Sequence, residues 1–261
     1  MSVFEYEPLG EDEIRLLEVY PGKLQDEIVC RLFKIRLSDE PVYAALSYVW
    51  GPKEYREIRV NGNAYKVTKN LHYALQSFRT TLKPVHRRGL SVTPRIPPCS
   101  ILWVDAICIN QSDIAERSQQ VRLMFRVYSQ ANAVLVSLSA LSDYEQDEQN
   151  LEELLSNLDH LREDERHLRM AVLANPNLMA KWQTLCKAAQ DPWSSRAWIL
   201  QEAVANKVDQ LSFIYSTFST SWATFKQAIC HLPKLLSFLV QNVDPILLKV
   251  VRGQGKLRPT F

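Results

Sequence analysis

Three groups of polar and aromatic side chains stand at the ends of the chain's most apolar segments. Ser47, Tyr48 and Trp50 close the first segment, and Asp105, Cys108, Asn110 and Gln111 follow the second. Arg196, Trp198, Gln201 and Glu202 follow Asp191-Pro192-Trp193. In an open α/β sheet, ligands bind outside the carboxyl ends of the strands, so polar residues at those ends are better site candidates than polar residues elsewhere. A purely structural reading stays open beside this one: the tryptophans pack, Asp105 caps a helix, and Glu202 pairs with Arg196.

Other chemistries leave no mark. The five histidines (His72, His86, His160, His167, His231) never form H-x-x-x-H, and none pairs with a cysteine at zinc spacing. His160 and His167 could share a face of one helix, which reads as a solvated helix rather than a metal site. The five cysteines include no C-x-x-C pair, which points to reduced thiols of the cytosol or nucleus. None of the seven glycines falls into G-x-G-x-x-G, G-x-x-x-x-G-K-[ST] or G-x-S-x-G. No serine is marked as a nucleophile, although a triad forms in space and spacing does not decide it.

The elements that must position the three groups are legible as runs. Residues 14–20 and 28–37 are rich in β-branched and aliphatic side chains and are parted by Pro21-Gly22, which predicts two strands. In the second, inward parity slips near Leu32-Phe33, which predicts a β-bulge. Residues 43–50, apolar on both faces and stopped by Gly51-Pro52, suit a central buried strand. Asn61-Gly62 between alternating residues predicts a type I′ hairpin turn. Thr68 is placed to cap a helix over 69–80 with Leu71, Ala74, Leu75 and Phe78 on its inner face.

Residues 101–105 predict a second buried strand ending in a carboxylate. Asp113-Ile-Ala-Glu116 has capping-box spacing. Val121, Met124, Phe125 and Tyr128, at i, i+3, i+4 and i+7, predict the core face of the helix that follows. Residues 133–136 begin a third strand, and this strand–helix–strand alternation marks an α/β domain with a parallel sheet. Further on, 211–215 predicts a strand and 222–240 one or two helices.

Two stretches differ in composition. Residues 83–100 hold four prolines and the basic Lys83, Arg87, Arg88 and Arg95, without the interleaved aromatics that would stack on bases, and read as an exposed loop. Residues 143–169 are strongly acidic, yet Leu151, Leu154, Leu155, Leu158 and Leu161 mark a helix face, so they read as a solvated helical insertion.

The 261 residues are 46% hydrophobic with a net charge of +2, which excludes a disordered chain and gives no field for gripping nucleic acid or anionic membrane. The first residues lack the apolar core of a signal peptide, and no apolar run approaches the ~20 residues that cross a bilayer. A cytoplasmic protein is expected.

Ala44-Ala-Leu-Ser-Tyr-Val-Trp-Gly51, Leu102-Trp-Val-Asp-Ala-Ile-Cys-Ile-Asn-Gln111, Glu116-Arg-Ser-Gln-Gln-Val121 and Pro192-Trp-Ser-Ser-Arg-Ala-Trp-Ile-Leu-Gln-Glu202 together resemble the fungal heterokaryon incompatibility (HET) domain. Their order matches the three blocks of that family. Val134-Leu-Val-Ser-Leu-Ser139 departs from it, lacking the tryptophan and glycine usual in the third strand. The resemblance implies a HET domain over 43–205, with the basic loop 83–100 and an acidic helical insertion over 140–190. A strand extension over 1–42 precedes it, and a strand and helical segment over 206–261 follows.

The HET domain is in turn similar to the Toll/interleukin-1 receptor (TIR) domain. This implies a TIR- or flavodoxin-like α/β fold, a mainly parallel sheet flanked by helices. The HET resemblance implies a role in fungal nonself recognition and programmed cell death with an incompatibility partner protein, and the TIR likeness implies self-assembly. Ser195-Arg-Ala-Trp-Ile-Leu-Gln-Glu202 is similar to the helix of TIR domains whose glutamate cleaves NAD, which would make Glu202 catalytic. Ser47, Tyr48, Trp50, Asp105, Asn110, Arg196 and Trp198 would then bind NAD as substrate, with no resident cofactor or metal. The alternative is a non-catalytic signalling or self-association module that recruits partners.

Overall fold

Every position of the apolar run at 44–48 is buried, because that run forms the middle of a nine-stranded sheet. The computed structural model describes residues 4–23, 25–81, 100–138, 144–156, 176–196, 210–215 and 218–230. In chain order the first strands are β1 (Glu13–Val19), β2 (Val29–Arg36), β3 (Ala44–Tyr48), β4 (Tyr55–Val60) and β5 (Asn63–Thr68). Helix α1 (Lys69–Thr81), strand β6 (Ile101–Trp103), the short α2 (Asp105–Cys108), α3 (Ile114–Gln130) and β7 (Ala133–Ser137) follow. Then come α4 (Tyr144–Ser156), α5 (Pro176–Ala189), β8 (Leu211–Tyr215), β9 (Phe218–Ser221) and a helix over 222–230.

The strands lie in the order β5-β4-β2-β1-β6-β3-β7-β8-β9. At the centre β3 runs parallel to β6 and β7, and β7 parallel to β8. Toward the margins β1 pairs antiparallel with β2 and β6, β4 with β5, and β8 with β9, while β2 and β4 run parallel. Taken in chain order, the parallel strands β3, β6, β7 and β8 are arranged 2-1-3-4. The chain therefore leaves β3 toward one side and returns to β7 on the other. This reversal opens a crevice at the carboxyl ends of β3 and β7, the position where doubly wound sheets bind ligands. Strand β1 sits between β2 and β6, so the N-terminal strands are interior members of the sheet.

Local signals explain several elements. Asn61 (φ 50°) and Gly62 (φ 78°) both hold positive φ, and Val60 pairs with Asn63 across them, the geometry of a two-residue type I′ turn. The Thr68 hydroxyl accepts the Leu71 N–H at 3.3 Å, and α1 buries Leu71, Ala74, Leu75 and Phe78. Leu151, Leu154 and Leu155 of α4 are buried, as are Trp182 and Leu185 of α5. Between these helices, Thr184 donates to Asp147 at 3.0 Å and accepts from Asn150 at 3.2 Å.

Three expectations need correction. There is no bulge at Leu32-Phe33: β1 and β2 pair without interruption from Glu13↔Arg36 to Val19↔Cys30. The parity slips because opposite faces are covered along β2, Cys30 and Leu32 on one, Phe33 and Ile35 on the other. The buried face of α3 is Gln120, Met124, Val127 and Tyr128, while Val121 and Phe125 are 38% and 56% exposed. Polar bonds set that roll: the Gln120 amide reaches the Glu13 carbonyl at 2.9 Å, and the Tyr128 hydroxyl the Leu46 carbonyl at 3.2 Å. Only half of the capping box forms, since Asp113 accepts the Ala115 and Glu116 N–H groups but Glu116 turns to Arg15. The basic loop up to residue 99, Leu158, Leu161, His160, His167 and residues 231–240 lie outside the described residues.

Candidate functional site

The chain turns sharply after β3. Gly51 holds φ 71°, and a Cβ there would come within 2.4 Å of Asn70 Nδ2, so both backbone and space demand glycine. Asn70, in the first turn of α1, donates to the Val49 carbonyl at 3.0 Å and ties this turn to the helix. Trp50 is thereby carried to the rim, 43% exposed, where its indole N–H donates to Asp105 Oδ2 at 2.9 Å. Asp105 Oδ1 accepts the Ala106 N–H at 2.7 Å, so both carboxylate oxygens are engaged. The carboxylate thus opens α2 and also fixes the indole.

A second tie comes from far along the chain. Asp191 caps the 3₁₀ turn Pro192–Ser195 by accepting the Trp193 N–H at 2.8 Å. The Trp193 indole N–H donates to Ser47 Oγ at 2.6 Å, and its ring meets Phe213 edge-on. Arg196 follows that turn directly. Tyr48 lies between these groups and is buried, and its hydroxyl has no hydrogen-bond partner among the described residues. Burial pushes its pKa well up and the Asp105 carboxylate adds to this, while the Arg196 guanidinium opposes it. The phenol is therefore neutral at any physiological pH.

The structure thus gathers Ser47, Tyr48, Trp50, Asp105 and Arg196 at the carboxyl end of β3. Asn110 is spent elsewhere: its side chain accepts the Ser112 N–H at 3.1 Å, and its own N–H goes to Glu116 at 2.7 Å. Trp198, Gln201 and Glu202 lie outside the described residues. Cys108 is buried with its thiol pushed up to about 12, by burial above all, and is no nucleophile. Gln111 donates to the Asp105 carbonyl at 2.8 Å and steadies α2.

A small cleft opens between the ends of β3 and β7, bordered by Tyr48, Val49, Lys69, Asn70, Tyr73 and Ser137. Its volume of about 30 Å³ holds roughly two waters. Lys69, Asn70 and Tyr73 escaped sequence reasoning because only the strand order brings the start of α1 to this rim. Glu116 escaped it too, because its spacing marked a cap. Its carboxylate instead grips Arg15 with contacts of 2.7 and 2.9 Å.

Among the described residues no three His, Cys, Asp or Glu side chains cluster as a metal site, and no helix is long and apolar enough to cross a membrane. Cys30, Cys108, Cys186 and Cys230 are free thiols.

Comparison with known proteins gives one family. The family model described as heterokaryon incompatibility protein (HET) matches residues 43–202. The chain is also similar to heterokaryon incompatibility protein 6, OR allele, of Neurospora crassa, at 36% identity over 154 residues. The match takes in 54% of this chain and 22% of that protein, so the chain spans well under half of its relative. No solved structure matches.

Proposed function

The chain belongs to the heterokaryon incompatibility (HET) family, and from that premise we propose that it acts in fungal nonself recognition, triggering cell death by hydrolysing NAD. One observation carries the reading: the family's three motif segments meet at the carboxyl end of β3, through Trp193 on Ser47 and Trp50 on Asp105. That end is the switch point of the parallel strands, where a nucleotide is held in doubly wound sheets.

In the proposed reaction the bond between nicotinamide and C1′ of its ribose breaks, and the bonding pair leaves with nicotinamide. Water adds to C1′, giving ADP-ribose and a proton. The transition state is oxocarbenium-like, so a carboxylate beside the ribose lowers its energy. Glu202 is assigned that role, from its place in the third motif. The exposed face of Trp50 offers a stacking surface and Arg196 a positive charge for the diphosphate, while Tyr48 is buried behind them.

The test is nicotinamide release from NAD by purified protein, in its monomeric and assembled states. The expected outcome is turnover that Glu202→Ala lowers at least a hundredfold. Equal rates for the two proteins in both states would remove the enzymatic reading.

A second reading, a non-catalytic module that self-associates or recruits a partner, is favoured by α3. Ile114, Val121 and Phe125 line its outer face at 71%, 38% and 56% exposure. On this reading Phe125→Asp weakens association while leaving the fold intact, as light scattering would record.

A further inference from the structure

Helix α2 is one turn long, and beyond the Asp105 carbonyl, which accepts the Ile109 N–H, it cannot satisfy its own carbonyl groups. Their partners come from outside it. The Tyr6 hydroxyl donates to the Ile107 carbonyl at 2.9 Å, and Arg15 Nη1 to the Cys108 carbonyl at 3.0 Å. The Tyr65 hydroxyl lies 2.7 Å from that of Tyr6 and 3.4 Å from the Ala106 carbonyl. Since Tyr6 spends its single proton on Ile107, Tyr65 donates to Tyr6. Beyond α2, the Asn110 N–H goes to Glu116, which is itself held by Arg15.

Arg15 is the node of this arrangement. Its Nη2 also donates to the Glu7 carbonyl at 2.5 Å, and its guanidinium lies 4.7 Å from the centre of the Tyr6 ring. Phe4 packs edge-on against both Tyr6 and Tyr65. The segment from Phe4 to Pro8 is thereby clamped to the turn that carries Asp105. These residues precede the family-matched span, which begins at residue 43.

We propose that the N-terminal arm is a latch for the candidate site, with Tyr6 and Arg15 as positioning residues that hold the α2 turn where Asp105 meets Trp50. They touch neither Asp105 nor Trp50; they act by fixing the backbone behind the carboxylate. Whatever displaces the arm loosens α2 and releases the indole. The bearing of the latch on catalysis rests on the NAD reading above, but the positioning itself does not.

The test is amide hydrogen exchange on the full chain, unmodified and as Tyr6→Phe/Tyr65→Phe, which removes both hydroxyls and keeps both rings. The N–H groups of Ile107, Cys108, Ile109 and Asn110 are the reporters, together with the NMR signal of the Trp50 indole N–H, assigned through Trp50→Phe. Loss of these half-buried hydroxyl bonds is expected to speed exchange of these amides about tenfold and to shift the indole signal, with β3 and β7 unchanged. Phe4→Ala/Tyr6→Ala, which undocks the arm, gives a larger effect of the same kind; if it fails to fold, the phenylalanine pair decides alone. Unchanged exchange at 107–110, or loosening spread equally over β3 and β7, overturns the latch. Nicotinamide release by the unmodified protein judges the NAD reading separately.

Discussion

Ser47 and Trp193 are 146 positions apart and share one hydrogen bond of 2.6 Å. Ser47→Ala leaves a buried indole N–H without this acceptor, which costs about 1–3 kcal/mol; a lowered urea midpoint with unchanged slope is the expected record. Arg15 and Glu116 are almost wholly buried, at 3% and 9% side-chain exposure. Removing one partner strands the other charge, so Glu116→Gln is expected to cost about 3 kcal/mol. Burial alone would raise the Glu116 pKa, but Arg15 and the Asn110 N–H outweigh it and hold the group below its ordinary value of 4.5. With the folded value depressed, protons bind the unfolded chain first as pH falls. The stabilisation is complete above that ordinary value and is lost as pH drops through the folded one. Urea midpoints measured from pH 6 to 3 should therefore fall less steeply for Glu116→Gln than for the unmodified chain.

Turns and helix faces govern the next scale. Gly51 and Gly62 both hold positive φ, yet only Gly51 is crowded, by Asn70; Gly62 has nothing within 4 Å. Gly62→Ala is expected to cost about 1 kcal/mol from backbone strain alone. Gly51→Ala should cost roughly 2 kcal/mol or more, because Asn70 must also release Val49. Unfolding curves of the two variants test that order. The hairpin and the α1 cap were legible because their signals are local: Asn-Gly sets its own dihedrals, and Thr68 bonds three residues ahead. The inner face of α3 was not. Apolar periodicity pointed to Val121 and Phe125, but the roll follows Gln120 and Tyr128, whose partners Glu13 and Leu46 lie on other strands.

At the scale of the whole molecule, β1 and β2 complete the sheet around the family-matched span. A fragment restricted to 43–202 would expose the β6 edge and lack Arg15, so it is expected to lose cooperative unfolding, which circular dichroism during a urea titration would show. The amino-acid sequence by itself determined the family, the buried character of β3 and β6 and the type I′ hairpin, and it marked the residues with chemistry to offer. The family follows from the resemblance of its motif segments; the rest follows from composition, periodicity and short-range spacing, which depend on neighbours along the chain. The tertiary structure alone decided that β1 lies inside the sheet, that α1 begins at the same rim as Tyr48, and that Trp50 meets Asp105 while Asn110 does not join them. Strand order and long-range hydrogen bonds arise from the packing of many distant segments at once, and no local pattern encodes which of them become neighbours.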